Sequence, residues 1–165
     1  MRMSTRGRYG LRVMMELAAH YGRGPVSVET IARNQEISGK YIHTLALGLK
    51  SAGLVRAVRG PSGGYELARD PSTITALEAV SALEGRLAPV ECVADSSVCP
   101  RAPRCAAHDL WCGVKSAVDG VLSGLTLEEL AMEARSKQGE ASGRSGPGAH
   151  RGTAPNLHRE NTSGS

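Results

Sequence analysis

No apolar run in the chain approaches the roughly 18 to 20 residues that cross a bilayer, and none follows the opening MRMSTRGRYG in the manner of a secretory leader. A soluble cytoplasmic protein is the expectation. Cysteine is missing from the first 91 residues and from everything after residue 112, so all four thiols, Cys92, Cys99, Cys105 and Cys112, fall in one short stretch. At 165 residues the chain can bury a core without covalent staples. Cytoplasmic thiols stay reduced, which points the cluster to metal or redox chemistry rather than to structural disulfides. Three further absences narrow the choice. There is no C-x-x-C pair of the kind a thiol oxidoreductase uses, and no C-x2-4-C knuckle of the kind structural zinc prefers. The glycine-rich RGPSGG at residues 59–64 is followed by neither Lys-Ser/Thr nor a helical pattern, so it reads as a hairpin tip and not a phosphate-binding loop. No internal repeat is present.

The net charge of +4 is unevenly spread. Residues 1–70 carry eleven Lys and Arg against five Asp and Glu, residues 71–135 carry five against nine, and residues 136–165 carry four against two. A basic first part suits a polyanionic partner, and the acidic middle must serve another purpose. From residue 136 the sequence SKQGEASGRSGPGAHRGTAPNLHRENTSGS has almost no large apolar residue, which predicts a disordered tail over 136–165.

Before the tail, Tyr9, Val13 and Leu17, with Met14 and Ala18 beside them, mark an amphipathic helix over about 5–21, ended by Gly22, Gly24 and Pro25. Ser27 caps a short helix to about Asn34, with Val28, Ile31 and Ala32 facing inward. Ser38 caps another to about Ala52, with Tyr41 or Ile42, Leu45 and Leu49 as its buried row and Gly53 as its stop. Two helices joined by a short polar turn make a helix-turn-helix whose second helix can enter the major groove. Residues 54–58 and 65–67 then alternate as strands around the RGPSGG tip, a wing on which Arg56 and Arg59 place cations. Thr75 and Glu78 form a capping box for a helix to about Leu83; a helix from His108 to about Leu122 and a short one from Thr126 to about Ala134 follow. The helix from His108, which carries the only tryptophan, Trp111, is apolar around more of its girth than one core needs, and this implies dimerisation through it. The fold class is mainly α with a small β-hairpin wing: a winged helix-turn-helix plus a long dimerisation helix.

Ser38, Lys40, Tyr41, His43 and Thr44 on the recognition helix, and Arg56, Arg59 and Ser62 on the wing, are the candidate DNA contacts, since these side chains hydrogen-bond to base edges or phosphates. The second candidate site is the spacing Cys-x6-Cys-x5-Cys-x2-His-x3-Cys. Gaps this wide suit a larger cluster, and Pro100 and Pro103 are expected to keep the intervening loop non-helical with its amides free to donate toward sulfur. With a helix starting near Cys105, both His108 and Cys112 fall on the face of Cys105, and either can supply a fourth ligand. Cys112 stands as alternative ligand, resolving thiol or plain buried cysteine.

The opening MSTRGRYGLRVMMELA, the wing VRGPSGGYELARDP, and the segment from Cys92 to His108 followed by Leu110-Trp111 together resemble the winged-helix bacterial repressors of the family that includes IscR and NsrR. The resemblance spans residues 1 to about 135. It implies a homodimer joined by the long helix, bound to palindromic promoter DNA with an affinity set by an iron-sulfur cluster that senses iron-sulfur, redox or nitric oxide status. Within it, Cys92, Cys99 and Cys105 match three cysteine ligands, and His108 matches the histidine that completes a 2Fe-2S cluster. The nitric-oxide sensors use a 4Fe-4S cluster with an acidic ligand from the first helix, where this chain has Arg8; 2Fe-2S is therefore the expected cofactor. Two departures stand out: the gap from Cys92 to Cys99 is one residue longer than in the cluster-assembly regulators, and Cys112 is an additional thiol. His43 and Thr44 also occupy positions where those relatives often carry Glu and Gln. The expected organisation is a DNA-binding region over 1–84, a cysteine loop over 85–107, dimerisation and short C-terminal helices over 108–135, and the tail. The competing functions are a zinc-bound or metal-free thiol-switch regulator and, outside DNA binding, an iron-sulfur carrier or thiol oxidoreductase.

Overall fold

The structure, a computed structural model, describes residues 3–143, with side chains through residue 137. Helix α1, Thr5–Ala19, begins where the Ser4 hydroxyl accepts hydrogen bonds from the amides of Arg6 and Gly7. It buries Val13, Met14, Leu17 and Ala18, as its periodicity predicts. Gly7, Gly10 and Glu16 are buried too. Helix α2, Val28–Gln35, is capped by Ser27, and α3, Gly39–Ser51, by Ser38. Ile31, Ile42, Leu45 and Leu49 are fully enclosed, each burial contributing about 1.5 to 3 kcal/mol. Ile42, not Tyr41, takes the inward position.

The turn between α2 and α3 is fixed by two devices. Glu36 adopts a left-handed conformation at φ 54°, ending α2. The buried Glu16 carboxylate of α1 accepts from Asn34 Nδ2 and Gln35 Nε2, both at 2.7 Å, and Arg12 donates to the side chain and carbonyl of Gln35. Charged hydrogen bonds of this kind are the strong ones, and they set the angle of the reading head on α1.

Strands β1, Val55–Val58, and β2, Gly64–Leu67, pair antiparallel with Val55 opposite Leu67 and Val58 opposite Gly64. This is the expected wing. On its other side β2 is bridged to the segment before α2, with Tyr65 and Val26 exchanging amide hydrogen bonds at 2.8 and 2.9 Å. A Cβ at position 64 would lie 2.1 Å from the Val26 carbonyl oxygen, so only glycine permits that approach.

Helix α4, Ala76–Glu84, opens on the full capping box of Thr75 and Glu78 and lies across α1 and α3. Leu83 drives its two methyls into the notches left by Gly10 of α1 and Gly48 of α3. The Glu84 carboxylate accepts from the Gly7 amide at 2.8 Å and from the Ser4 hydroxyl, capping α1 from outside its own sequence. Gly85, at φ 76°, then turns the chain out of this packed body.

The segment after Gly85 is more structured than the expected loop. It holds a short helix α5, Glu91–Ala94, and single 3-10 turns at Ser96–Val98 and Ala102–Arg104. Helix α6 spans Ala106–Ser123, starting two residues before His108, and none of its residues is buried. Helix α7, Leu127–Gly143, returns to pack on α1 through Leu127 and Ala131. Its start is stapled to that of α4: the Ala76 amide donates to Leu125 O at 2.8 Å and the Leu127 amide to Ile74 O at 2.9 Å.

The disordered tail expected from residue 136 begins too early, because α7 crosses that boundary and runs to Gly143. Once a helix exists, each added residue gains a hydrogen bond without a new nucleus, and Lys137 pairs with Glu133 one turn back. The remainder of the expected tail, residues 144–165, lies outside the described residues.

Candidate DNA-contacting face and cysteine segment

The outward face of α3 presents Lys40, His43, Thr44 and Leu47, the last 68% exposed. The five residues expected there have distinct tasks. The Ser38 hydroxyl accepts from the Tyr41 amide at 3.3 Å as the N-cap, so it is already in use. Tyr41 is half-buried and meets Tyr9 edge-to-face at 6.1 Å, which assigns its ring to packing against α1. The Thr44 hydroxyl donates to Lys40 O at 3.2 Å. Lys40 is exposed and forms no ion pair among the described residues. His43 is exposed, and its Nδ1 lies 2.9 Å from Tyr65 Oη.

On the wing, Arg56 Nε pairs with Glu66 Oε1 at 2.8 Å across the two strands, so its cation is partly neutralised within the hairpin. Arg59 and Ser62, at the tip, are exposed and make no side-chain hydrogen bond among the described residues. Arg59 is thus the wing cation best placed to meet phosphate. Tyr65 was missed by sequence reasoning. The only sequence signal for it is an aromatic directly after the glycine tip, which reads as an ordinary strand residue.

In the cysteine segment all four thiols are free and half-buried. His108 is the residue around which others gather: its Nε2 lies 3.1 Å from the Cys92 carbonyl oxygen, and Cys112 Sγ stands 3.8 Å from both ring nitrogens. The structure therefore brings His108 to the backbone of Cys92 and to the thiol of Cys112. It does not bring Cys92, Cys99 and Cys105 together with His108, because among the described residues no three His, Cys, Asp or Glu side chains stand where they could share a metal ion.

The expectation of free amides between Cys99 and Cys105 is also corrected. Ala102 N donates to Cys99 O at 3.0 Å, Arg104 N to Arg101 O at 2.9 Å and Cys105 N to Ala102 O at 3.3 Å. Pro103 sits in the first turn of the 3-10 helix, where its missing N–H costs nothing, so the prolines shape a tight turn instead of preventing one. Asp95 closes the preceding turn, and hydrogen bonds from the Ser97 hydroxyl and amide hold its carboxyl below the usual carboxylate range. The segment is tied back to itself by Arg86, which donates to Ala94 O at 2.6 Å.

A family model described as Rrf2, iron-dependent transcriptional regulator, matches residues 3–133. The chain belongs to the Rrf2 family. Among its relatives is the HTH-type transcriptional regulator CymR of Bacillus subtilis, 42% identical over 131 residues, which cover 79% of this chain and 90% of that protein. The HTH-type regulator IscR of Photorhabdus laumondii is 37% identical over 130 residues, 79% of each chain. The solved structure of B. subtilis CymR, described as the global cysteine regulator, superposes with a TM-score of 0.68 at 41% identity, covering 81% of this chain and 98% of that one. That of T. potens IscR gives a TM-score of 0.68 at 36% identity, covering 84% and 91%. This Rrf2-family chain is accordingly a winged-helix transcriptional regulator and not an enzyme. No helix among the described residues is long and apolar enough to cross a membrane.

Proposed function

We propose that this Rrf2-family regulator is a cytoplasmic homodimeric repressor whose grip on palindromic promoter DNA is set by a 2Fe-2S cluster held by Cys92, Cys99, Cys105 and His108. The observation that carries the reading is the donor set itself: three free thiols in the segment that joins the DNA-binding body to α6 and an imidazole in the first turn of α6, all half-buried. The chemistry of these donors fits an iron-sulfur centre, and the His108 ring lies against the backbone of Cys92. Such a centre, when bound, supplies a one-electron redox change and a titratable ligand. Assembly requires the two 3-10 turns to rearrange, since the thiols do not converge in the arrangement described above. The dimer reading rests on α6, whose Leu110 and Val121 are 63% and 65% exposed and whose Trp111 is 38% exposed.

DNA contact follows from the basic first part of the chain. Lys40, His43 and Thr44 of α3 face the major groove, Ser38 and Tyr41 stand at the start of that helix, and Arg56, Arg59 and Ser62 meet the backbone beside it. The test is an anaerobic absorbance spectrum with iron and sulfide assays. Visible absorbance that Cys99→Ala abolishes, with the fold intact by circular dichroism, supports the cluster; a colourless protein carrying stoichiometric zinc removes it.

A second reading has its own observation. Cys112 Sγ at 3.8 Å from the His108 ring forms a thiol-imidazole pair, and the CymR relative is described as a cysteine regulator. In that reading the chain is a metal-free thiol switch, and a mass increase at Cys112 on mild peroxide treatment, with no iron bound, distinguishes it.

A further inference from the structure

Among the five residues expected to read DNA on α3, His43 is the one whose side chain is hydrogen-bonded by a side chain from another element, among the described residues. The imidazole meets the Tyr65 phenol edge-to-face, ring centroids 6.0 Å apart and planes at 68°, and its Nδ1 lies 2.9 Å from Tyr65 Oη. Tyr65 is itself immobilised. Its backbone is paired with Ala57 of β1 on one side and doubly hydrogen-bonded to Val26 on the other, and Gly64 presses the strand against that segment. These contacts restrict the rotamers open to the His43 ring, which lowers the ordering cost of a base contact.

The bond also decides which chemistry His43 offers. A neutral imidazole has one N–H and one bare nitrogen, and the partner of one nitrogen determines what the other carries. A phenol donates better than it accepts, so Tyr65 O–H takes the bare nitrogen at Nδ1 and leaves the proton on Nε2. The exposed edge of His43 is then a hydrogen-bond donor. In the major groove guanine presents two adjacent acceptors, N7 and O6, whereas adenine sets a competing N6 donor beside its N7.

We propose that Tyr65 is a positioning residue that fixes the orientation and tautomer of His43, and that His43 thereby reads a guanine through Nε2–H. The wing thus sharpens sequence selectivity at a base it does not touch. This rests on the DNA-binding reading of α3 given above.

The experiment selects bound DNA from a random-sequence duplex pool with the full-length protein and sequences it, for the wild type, His43→Ala and Tyr65→Phe. The wild type is expected to enrich a motif containing a guanine in each half-site whose preference His43→Ala erases. Tyr65→Phe is expected to weaken the preference at that same position about fivefold, the share of one base hydrogen bond, and to leave the others alone. Replacing that guanine by 7-deazaguanine should weaken the wild type and leave His43→Ala unaffected. A purely structural role for Tyr65 would lower melting temperature and enrichment at every position together, and that result overturns the proposal. So does a His43-dependent position that is not guanine. A wild type that enriches no motif at all defeats the DNA-binding reading itself, whereas an intact motif indifferent to Tyr65→Phe defeats only the inference.

Discussion

Gly10→Ala is the sharpest test of how the body beneath the reading head is packed. Two effects oppose each other. Replacing glycine by alanine inside a helix ordinarily stabilises by about 0.8 to 1 kcal/mol. Here a Cβ at position 10 would stand 1.8 Å from Leu83 Cδ1 and 3.3 Å from its Cγ. Leu83 cannot swing aside freely: it is only 6% exposed, and its other methyl would stand 2.8 Å from a Cβ at Gly48. Forcing a methyl into a filled core costs about 1 to 3 kcal/mol, so the net expectation is destabilisation of up to about 2 kcal/mol. Urea unfolding followed by helical circular dichroism, at fixed protein concentration because the proposed function includes a dimer, reads this directly. Leu83→Ala alone should cost about 2 to 5 kcal/mol, and in that background Gly10→Ala should reverse sign and stabilise, giving a coupling of about 1 to 3 kcal/mol. If Gly10→Ala stabilises equally in both backgrounds, the glycine notch is not a packing site and the account of α1 against α4 is wrong.

Two further outcomes follow from the capping box and the wing. Burial pushes the Glu78 carboxyl up, but hydrogen bonds from the Thr75 amide and the Arg69 guanidinium outweigh it and leave the pKa below its ordinary value of 4.5. Stability from a depressed carboxyl is fully present above the unfolded value and is lost as pH falls through the lower folded one, so the stability gap between wild type and Glu78→Gln should be largest at neutral pH and close in acid below 4.5; a gap independent of pH would contradict it. Arg59→Ala should weaken DNA binding uniformly across sequences and reduce the slope of log K against log salt by about 0.9, measured by fluorescence anisotropy, while Arg56→Ala changes the slope less because Glu66 already partly neutralises its charge.

What sequence reasoning reached and what it missed divide by the range of the interaction. Ser27, Ser38, Thr75 and Thr126 announce helix starts because a cap is satisfied within three residues, and each does cap the helix that follows it. The wing was legible for the same reason, its tip and both strands lying in one short run. The family resemblance likewise rests on local strings, and the match over residues 3–133 accords with it. Contacts between distant residues left no such trace. Nothing near Gly7 and Gly10 says that a leucine and a glutamate more than seventy residues later will fill the space beside them, although two glycines three apart inside a helical pattern are the one hint available.

The cysteine segment failed in a different way. Proline reads as a barrier to helical turns, yet a 3-10 turn begins at Ala102-Pro103 because the lost donor is one the first turn never uses. The consequence is chemical. Amides expected to point at sulfur are instead paired within the turns, at Ala102, Arg104 and Cys105. The segment hangs from Gly85, immediately after Leu83 and Glu84, the two residues that lock α4 onto α1 and α3. Under the proposed function, a rearrangement of the segment begins beside the Leu83 and Glu84 contacts of α4, whereas the wing is held separately by Val26 and by pairing within its own hairpin.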